Sequence, residues 1–373
     1  MDAKPEILLA GANDTRLWGL TSAERVGRIA AAQGLTMAVG SDVRLPALIV
    51  NLAYAFDPAW LKYVAARPNH VVTRGGVPVL AHVTDSAAGE ALFAMMAEDQ
   101  PLGSAGSLIL VPQEDAGGIV NDELRKRDTP FIERLIPSSV PALERASYFG
   151  AYKGVTDILT KYLWPEWALV LTRLAARWRI TPNQVTALGA LLCVVATILF
   201  YYGHYWPGLA AGLGFMVLDT VDGKLARCTI TSSWWGNIFD HGIDLIHPPF
   251  WWYAWGVGLA AYGRPLDPRT FWICMGVIVA GYVVQRLIEG AFIVRFGIHI
   301  HVWRRFDSWF RLITARRNPN MIILFASLLV GRPDLGLIAV AIWTLASLLV
   351  HIVQLFHALI VQAQGRPVKS WLG

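Results

Sequence analysis

"LDTVDGKLARCTITSSWWGNIFDHGID", residues 218–244, sets four aspartates, Asp219, Asp222, Asp240 and Asp244, among some of the most apolar segments of the chain. On a helix, Asp219 and Asp222 at i,i+3 share a face, and so do Asp240 and Asp244 at i,i+4. The polar turn between them holds Thr229, Thr231, Ser232 and Ser233 and is short enough to make the two helices antiparallel neighbours. Four carboxylates then converge on one cavity. Left bare, they would repel one another and be costly to desolvate. Two divalent cations resolve the conflict, and hard oxygen ligands favour Mg2+ or Mn2+ over zinc. Such a pair of ions suits phosphoryl chemistry, with one carboxylate left to accept a proton from an attacking hydroxyl. The plainer alternative is that these aspartates cap helices or pair with Lys224 and Arg227; four of them on two faces weigh against it.

Outward from this stretch, the chain divides by composition. Of its 373 residues 55% are hydrophobic and 16% charged, with a mean hydropathy of +0.44, too apolar for an ordinary soluble protein. The excess lies beyond about residue 184, in six apolar stretches at about 184–203, 207–222, 237–262, 269–294, 318–331 and 334–362. The loops carry an asymmetry of charge. Arg173, Arg177, Arg179, Lys224, Arg227, Arg295, Arg304, Arg305, Arg311, Arg316, Arg317, Arg366 and Lys369 fall on one side, and only Arg264, Arg269 and Arg332 on the other. The positive-inside rule assigns the first side, with both termini and the four aspartates, to the cytoplasm. No secretory leader is expected from the opening MDAKPEILLAG. Cys193, Cys228 and Cys274 show no ligand spacing and imply no disulfide framework.

Residues 1–140 alternate β-like runs (6–11, 35–40, 46–53, 70–74, 107–112) with amphipathic stretches (21–34, 86–99), which predicts an α/β domain with buried parallel strands. Gly11 to Gly19 follow the first strand, where α/β folds place ligand loops. Residues 141–182 mix Lys153, Lys161, Arg173, Arg177 and Arg179 with aromatics and leucines, and predict interfacial helices with Trp164 and Trp167 at headgroup depth. Tryptophans 234–235 and 251–252 read as further interface anchors, and His299 and His301 as interfacial residues. Residues 183–373 form the all-α polytopic membrane domain of six transmembrane helices.

At this point a known pattern can be matched. Asp219-x2-Asp222-Gly223-x2-Ala226-Arg227-x8-Gly236-x3-Asp240-x3-Asp244 resembles the signature of the CDP-alcohol phosphotransferase family, and ITPNQVT (180–186) its Pro-Asn-x-x-Thr segment; the likeness runs from about 145 to 362. It implies a homodimeric membrane enzyme that transfers a phospho-alcohol from a CDP-linked donor to an acceptor hydroxyl and releases CMP. It further implies Asp219, Asp222 and Asp240 as metal ligands, and Asp244 as the residue that completes the metal site and serves as general base. Asp219, Gly223, Ala226 and Arg227 would bind the nucleotide, together with Asn183 and Thr186. Arg286, Arg295, Arg316 and Arg317 are candidates for an acceptor phosphate, with Glu289 the alternative partner of Arg286. The donor would be CDP-diacylglycerol or a polar CDP-alcohol such as CDP-inositol, and the acceptor a lipid or polar alcohol; no nucleic-acid partner is expected.

The N-terminal ILLAGANDTRLWGLTSAERVGR (7–28) resembles the opening of a sugar-phosphate nucleotidyltransferase, and fusions of an inositol-phosphate cytidylyltransferase to this transferase family have the same layout. Asn13-Asp14 replaces a family glycine, no lysine occurs between Lys4 and Lys62, and Ala53 stands where a metal-binding Asp is expected. These departures imply an inactive domain. The rivals are a bifunctional cytidylyltransferase–transferase and, more distantly, an ion-coupled transporter.

Overall fold

The computed structural model describes residues 5–38, 45–103, 106–115, 117–121 and 124–373, excepting the side chains of 119, 120, 237, 240 and 241. Its N-terminal part contains β1 (Glu6–Ala10), α1 (Ser22–Ala32), β2 (Thr36–Met37), β3 (Ala47–Asn51), β4 (Tyr54–Phe56) and α2 (Pro58–Ala65). β5 (His70–Arg74), β6 (Val77–Val83), α3 (Ser86–Ala97), β7 (Ile109–Pro112), β8 (Ile119–Asn121), β9 (Lys126–Asp128) and β10 (Ile132–Arg134) follow. Among the described residues, one sheet has the order β2-β1-β3-β6-β5-β7. The five strands expected from sequence run parallel, but β7 is not buried as expected: it lies at the sheet edge with Ile109 and Leu110 exposed.

The sixth strand was not expected. β6 inserts antiparallel between β3 and β5, reached from β5 through Gly75-Gly76. Both glycines have positive φ (56° and 81°), the geometry of a two-residue hairpin turn. Local capping fixes the helices: Thr21 and Glu24 form a reciprocal capping box on α1, and Asp57 caps α2 ahead of Pro58.

The bridge comprises α4 (Val140–Gly150), α5 (Ile158–Tyr162) and α6 (Pro165–Arg177), leading into α7 (Pro182–Tyr201), α8 (Tyr205–Cys228), α9 (Trp234–Ala261), α10 (Pro268–Phe296), α11 (Arg305–Arg311), α12 (Arg317–Leu329) and α13 (Pro333–Ala363). Helices therefore fill all six apolar stretches. Those long and apolar enough to cross a bilayer, among the described residues, are α7, α10 and α13. α7 exposes Leu188, Leu191, Val194 and Ile198 along one stripe, the face a helix turns to lipid. α8 carries charges in its last turns, and α12 has only 13 residues.

Two expectations about tryptophan are corrected. Trp164 is fully buried and donates to the Thr220 hydroxyl at 3.0 Å, so it locks α6 onto α8, while Trp167 is exposed. Trp251 and Trp252 are also core residues. Trp251 donates to the Cys193 carbonyl at 3.1 Å and meets Phe200 and Phe215 edge-to-face. Only Trp234 and Trp235 of the two pairs are exposed. Gly212 of α8 leaves room for the Trp251 indole, which a Cβ there would meet at 3.0 Å. The three cysteines are buried and free.

The two parts share a core. Leu17 and Trp18, from the loop after β1, cluster with Leu143 and Tyr148 of α4 and Leu225 of α8. Trp18 Nε1 donates to Ser147 Oγ at 2.7 Å. From α1, Arg25 donates to the Cys228 carbonyl (3.1 Å) and Arg28 to the Thr229 carbonyl (2.8 Å), so two guanidinium groups cap the C-terminus of α8. Cations suit that end of a helix, where carbonyls lack partners.

Candidate active site

α8 and α9 carry the aspartates as the spacing predicted, and Asp219 and Asp244 meet across the helix pair. The Arg317 guanidinium, at the start of α12, bridges them: one nitrogen lies 2.8 Å from Asp219 Oδ2 and the other 2.6 Å from Asp244 Oδ1. Phe215 lies under the guanidinium plane at 4.8 Å and Asn318 accepts from its Nε at 2.8 Å, which fixes its orientation. Asp222 is buried and held from two sides, by the Thr186 hydroxyl at 2.6 Å and the Gly223 N–H at 2.5 Å. Asp240 lies on α9 one turn before Asp244; its side chain is outside the described residues.

Asp219 and Asp244 open into a cavity of about 760 Å³, together with Gly223, Ala226 and Arg227 of α8. Lys224 lines the same cavity but pairs with none of the described aspartates. Its ammonium donates to the Ala151 carbonyl at 2.8 Å and sits 3.2 Å from the Tyr152 ring centroid, tying α8 to the bridge rather than neutralising an aspartate. Asp219 and Asp244 pair instead with Arg317. Two carboxylates from different helices closing on one cation make an all-oxygen donor set, and that set fits a hard divalent ion. Thr186 does not line the cavity but orients Asp222, and Asn183 is exposed, with its Oδ1 near Gly236.

The far side of the cavity is basic. Arg286 and Arg316 line it, and both hold Glu289, at 2.8 Å and 2.5 Å. The expected Arg286–Glu289 pair is therefore present, yet Arg286 faces the cavity as well. Arg317 belongs to the aspartate end of the cavity, not to this basic side. Arg295 sits exposed in the last turn of α10, between the inward-facing Phe292 and Phe296, and does not line the cavity.

His301 corrects a further expectation. It is buried with Nε2 3.2 Å from Glu289 Oε1, and His351 Nε2 lies 3.5 Å from the same oxygen. Glu289, 62 residues before His351, had no sequence signal linking them. The three residues could hold a metal by distance alone. However, Arg316 already contacts both Glu289 oxygens and lies 3.2 Å from His301 Nε2, so a guanidinium fills the cation's place. Arg304 chelates the fully buried Asp307 at 2.9–3.0 Å.

Sequence reasoning passed over Arg125, Lys153, Asp157 and Arg311, which also line the cavity. Asp157 caps α5 through Leu159 and Thr160 N–H. Burial pushes its carboxyl up, but Arg311 and the hydrogen bonds to it outweigh that and hold it below the usual carboxylate range. Asn318 was a detectable signal, as a polar residue opening an apolar stretch; Arg125 had none.

Residues 179–308 match the CDP-alcohol phosphatidyltransferase family. Among curated proteins, the chain is 34% identical to cholinephosphotransferase 1 of Gallus gallus over 127 residues, 31% of this chain and 36% of that protein. It is 32% identical to choline/ethanolaminephosphotransferase 1 of Arabidopsis thaliana over 151 residues, 37% and 36% of the two chains. Human cholinephosphotransferase 1 is 33% identical over 140 residues, 35% of this chain and 33% of the human protein. The chain thus matches about a third of the length of these relatives.

Proposed function

We propose that this chain, whose residues 179–308 belong to the CDP-alcohol phosphatidyltransferase family, is an integral membrane transferase acting on a CDP-linked donor and an acceptor hydroxyl. One observation carries the reading: Asp219 and Asp244 converge from two helices on a single cation, in a cavity also lined by Gly223, Ala226 and Arg227.

Asp219, Asp222, Asp240 and Asp244 would hold two Mg2+ or Mn2+ ions. When bound, the ions neutralise the diphosphate and stabilise departing CMP. Gly223 and Ala226 leave space for cytidine against α8, and Arg227 can grip phosphate. The acceptor oxygen attacks the donor phosphorus that bears the alcohol, the bond from that phosphorus to the CMP oxygen breaks, and Asp244 takes the hydroxyl proton. Asp222 is a ligand oriented by Thr186. The similar proteins are named for choline and ethanolamine, which supports phospholipid synthesis and adds CDP-choline and CDP-ethanolamine to CDP-inositol and CDP-diacylglycerol as donors to test.

Six spans with the N-terminal domain and the cavity on the cytoplasmic side fit the distribution of basic residues. The N-terminal domain, residues 1–140, we read as nucleotidyltransferase-like and inactive. A glycine loop after β1 supports the likeness, and the use of Asn13 to tie that loop down supports the inactivity: its amide donates to the Leu52 and Leu135 carbonyls. The test is CMP release from each donor by the full chain in nanodiscs, with Asp244→Asn as control. Release that persists in the variant with donor and acceptor supplied would remove Asp244 as base.

A further inference from the structure

Ile230 is the one apolar side chain in the turn 229–233, which joins the two helices that carry the aspartates. That turn closes α8 with a pair of hydrogen bonds. Thr231 N–H donates to the Ala226 carbonyl at 2.8 Å, and Ile230 N–H to the Arg227 carbonyl at 3.4 Å. In a helix end bonded this way, the residue just past the cap is left-handed, and it is usually glycine. Here it is Ile230, with φ of +53°. A β-branched side chain is an outlier in that conformation, because its branch crowds the backbone. Strain of this kind persists where surrounding structure enforces it and concentrates at functional sites.

The N-terminal domain supplies the enforcement. Ile230 is half-buried and packs against the apolar cluster built on Val26 and Ile29 of α1, Phe56 of β4 and Trp60 of α2. Beside it, Arg28 donates to the Thr229 carbonyl, and Arg25 donates to the carbonyls of both Cys228 and Phe56. Three consecutive residues, Cys228, Thr229 and Ile230, are therefore held by one domain. That domain is itself fastened to the bridge at Gly154, whose N–H donates to the Leu124 carbonyl at 2.8 Å. A Cβ at Gly154 would fall 2.6 Å from the Arg125 carbonyl oxygen, so the approach requires glycine. The bridge grips α8 in turn through Trp164 and Lys224. On the far side of the turn, Ser232 lines the cavity and Ser233 caps α9 by accepting the Gly236 N–H at 3.0 Å.

Resting on the transferase reading above, we propose that Ile230 is a positioning residue for the transfer, a peg by which the N-terminal domain fixes the turn between the two aspartate helices. Asp219 and Asp222 precede the peg on α8, and Asp240 and Asp244 follow it on α9, so a turn that drifts moves one pair against the other. Glycine would ease the backbone and give the domain no side chain to hold. The comfort of the turn and the placing of the aspartates are thus separable by one substitution.

The test uses Ile230→Gly in full-length protein in phosphatidylcholine nanodiscs. CMP release is assayed, Mn2+ is titrated calorimetrically, and Asp222→Asn marks the binding that belongs to the aspartates. The melting temperature should move little, as relief of the backbone offsets lost packing. CMP release should nevertheless fall about tenfold or more, the scale of a small misplacement of reacting groups. Mn2+ affinity should weaken by about tenfold, as when a metal ligand loses its support. Ile230→Leu, which keeps an apolar side chain for the domain to hold, should stay within about threefold of the parent in both. Unchanged CMP release and Mn2+ affinity in Ile230→Gly overturn the proposal, as does an equal loss in Ile230→Leu. A parent that releases no CMP from any donor removes the transferase reading, and Mn2+ affinity then decides the peg by itself. Should Ile230→Gly melt below the assay temperature, Ile230→Ala takes its place under the same two expectations.

Discussion

The loop after β1 and the paired ends of α8 and α9 both set polar side chains and glycines beside a core, and they use their polar groups in opposite ways. In the first, Asn13 donates to Leu52 and Leu135 carbonyls while its Oδ1 accepts the Thr15 N–H, and Leu17 and Trp18 turn into the core shared with the bridge. Its hydrogen-bonding capacity is spent inside the protein. In the second, Asp219 and Asp244 reach a cavity and find one arginine between them. A phosphate-binding turn needs donors left over, and that surplus lies in the membrane part of the chain.

The contrast can be broken most forcefully at the aspartates. Asp244→Asn should lower transfer by roughly 10²- to 10⁴-fold, the range for a lost general base. CDP affinity should fall far less, and calorimetry beside a CMP assay reads both. A smaller effect is expected at the joint between the two parts. Arg25→Met with Arg28→Met uncaps α8, and a displaced α8 should slow turnover by roughly ten- to a hundred-fold. Metal dependence should shift with it, whereas a merely structural defect would lower the melting temperature and leave the metal response alone.

Asn13→Ala should leave CMP release within twofold of the parent and cost about 1–3 kcal/mol of stability, since two buried carbonyls lose their donor. Altered transfer with unchanged stability would mean that the loop is not a clasp. The smallest effect concerns acid. Asp157 has a depressed carboxyl, so its stabilisation is present above the unfolded value of about 3.9 and is lost as pH falls through the folded one. Asp157→Asn should therefore lower the unfolding midpoint at pH 7, with the gap from the parent narrowing below about pH 4.

What was legible in the sequence followed from local periodicity and strict spacing. The five parallel strands, the helices over the six apolar stretches and the placing of the four aspartates on α8 and α9 all depend on residues near one another in the chain or on a fixed motif; of the four, Asp219 and Asp244 line the cavity and Asp222 is turned to Thr186 instead. What was not legible depends on contacts across long separations. β6 reverses because two glycines close a hairpin, and its place between β3 and β5 is decided by sheet packing. Trp164 and Trp251 fit the pattern of interface anchors, yet each indole donor finds a partner on another helix. Arg317 was visible as a cation, but its position between two aspartates 73 and 98 residues away was not. Arg125 lies in a charged run of ordinary appearance, and only the close approach at Gly154 brings it to the cavity.

The central claim is that carboxylates on α8 and α9 drive transfer from a CDP-linked donor. Its most direct test is CMP release by the full chain in nanodiscs, measured over CDP-choline, CDP-ethanolamine, CDP-inositol and CDP-diacylglycerol, with Mg2+ or Mn2+ and after chelation. The expected result is acceptor-dependent release from at least one donor, abolished by the chelator and by Asp219→Asn. Release that survives both, or its absence with every donor and acceptor while CDP fails to bind, would contradict it.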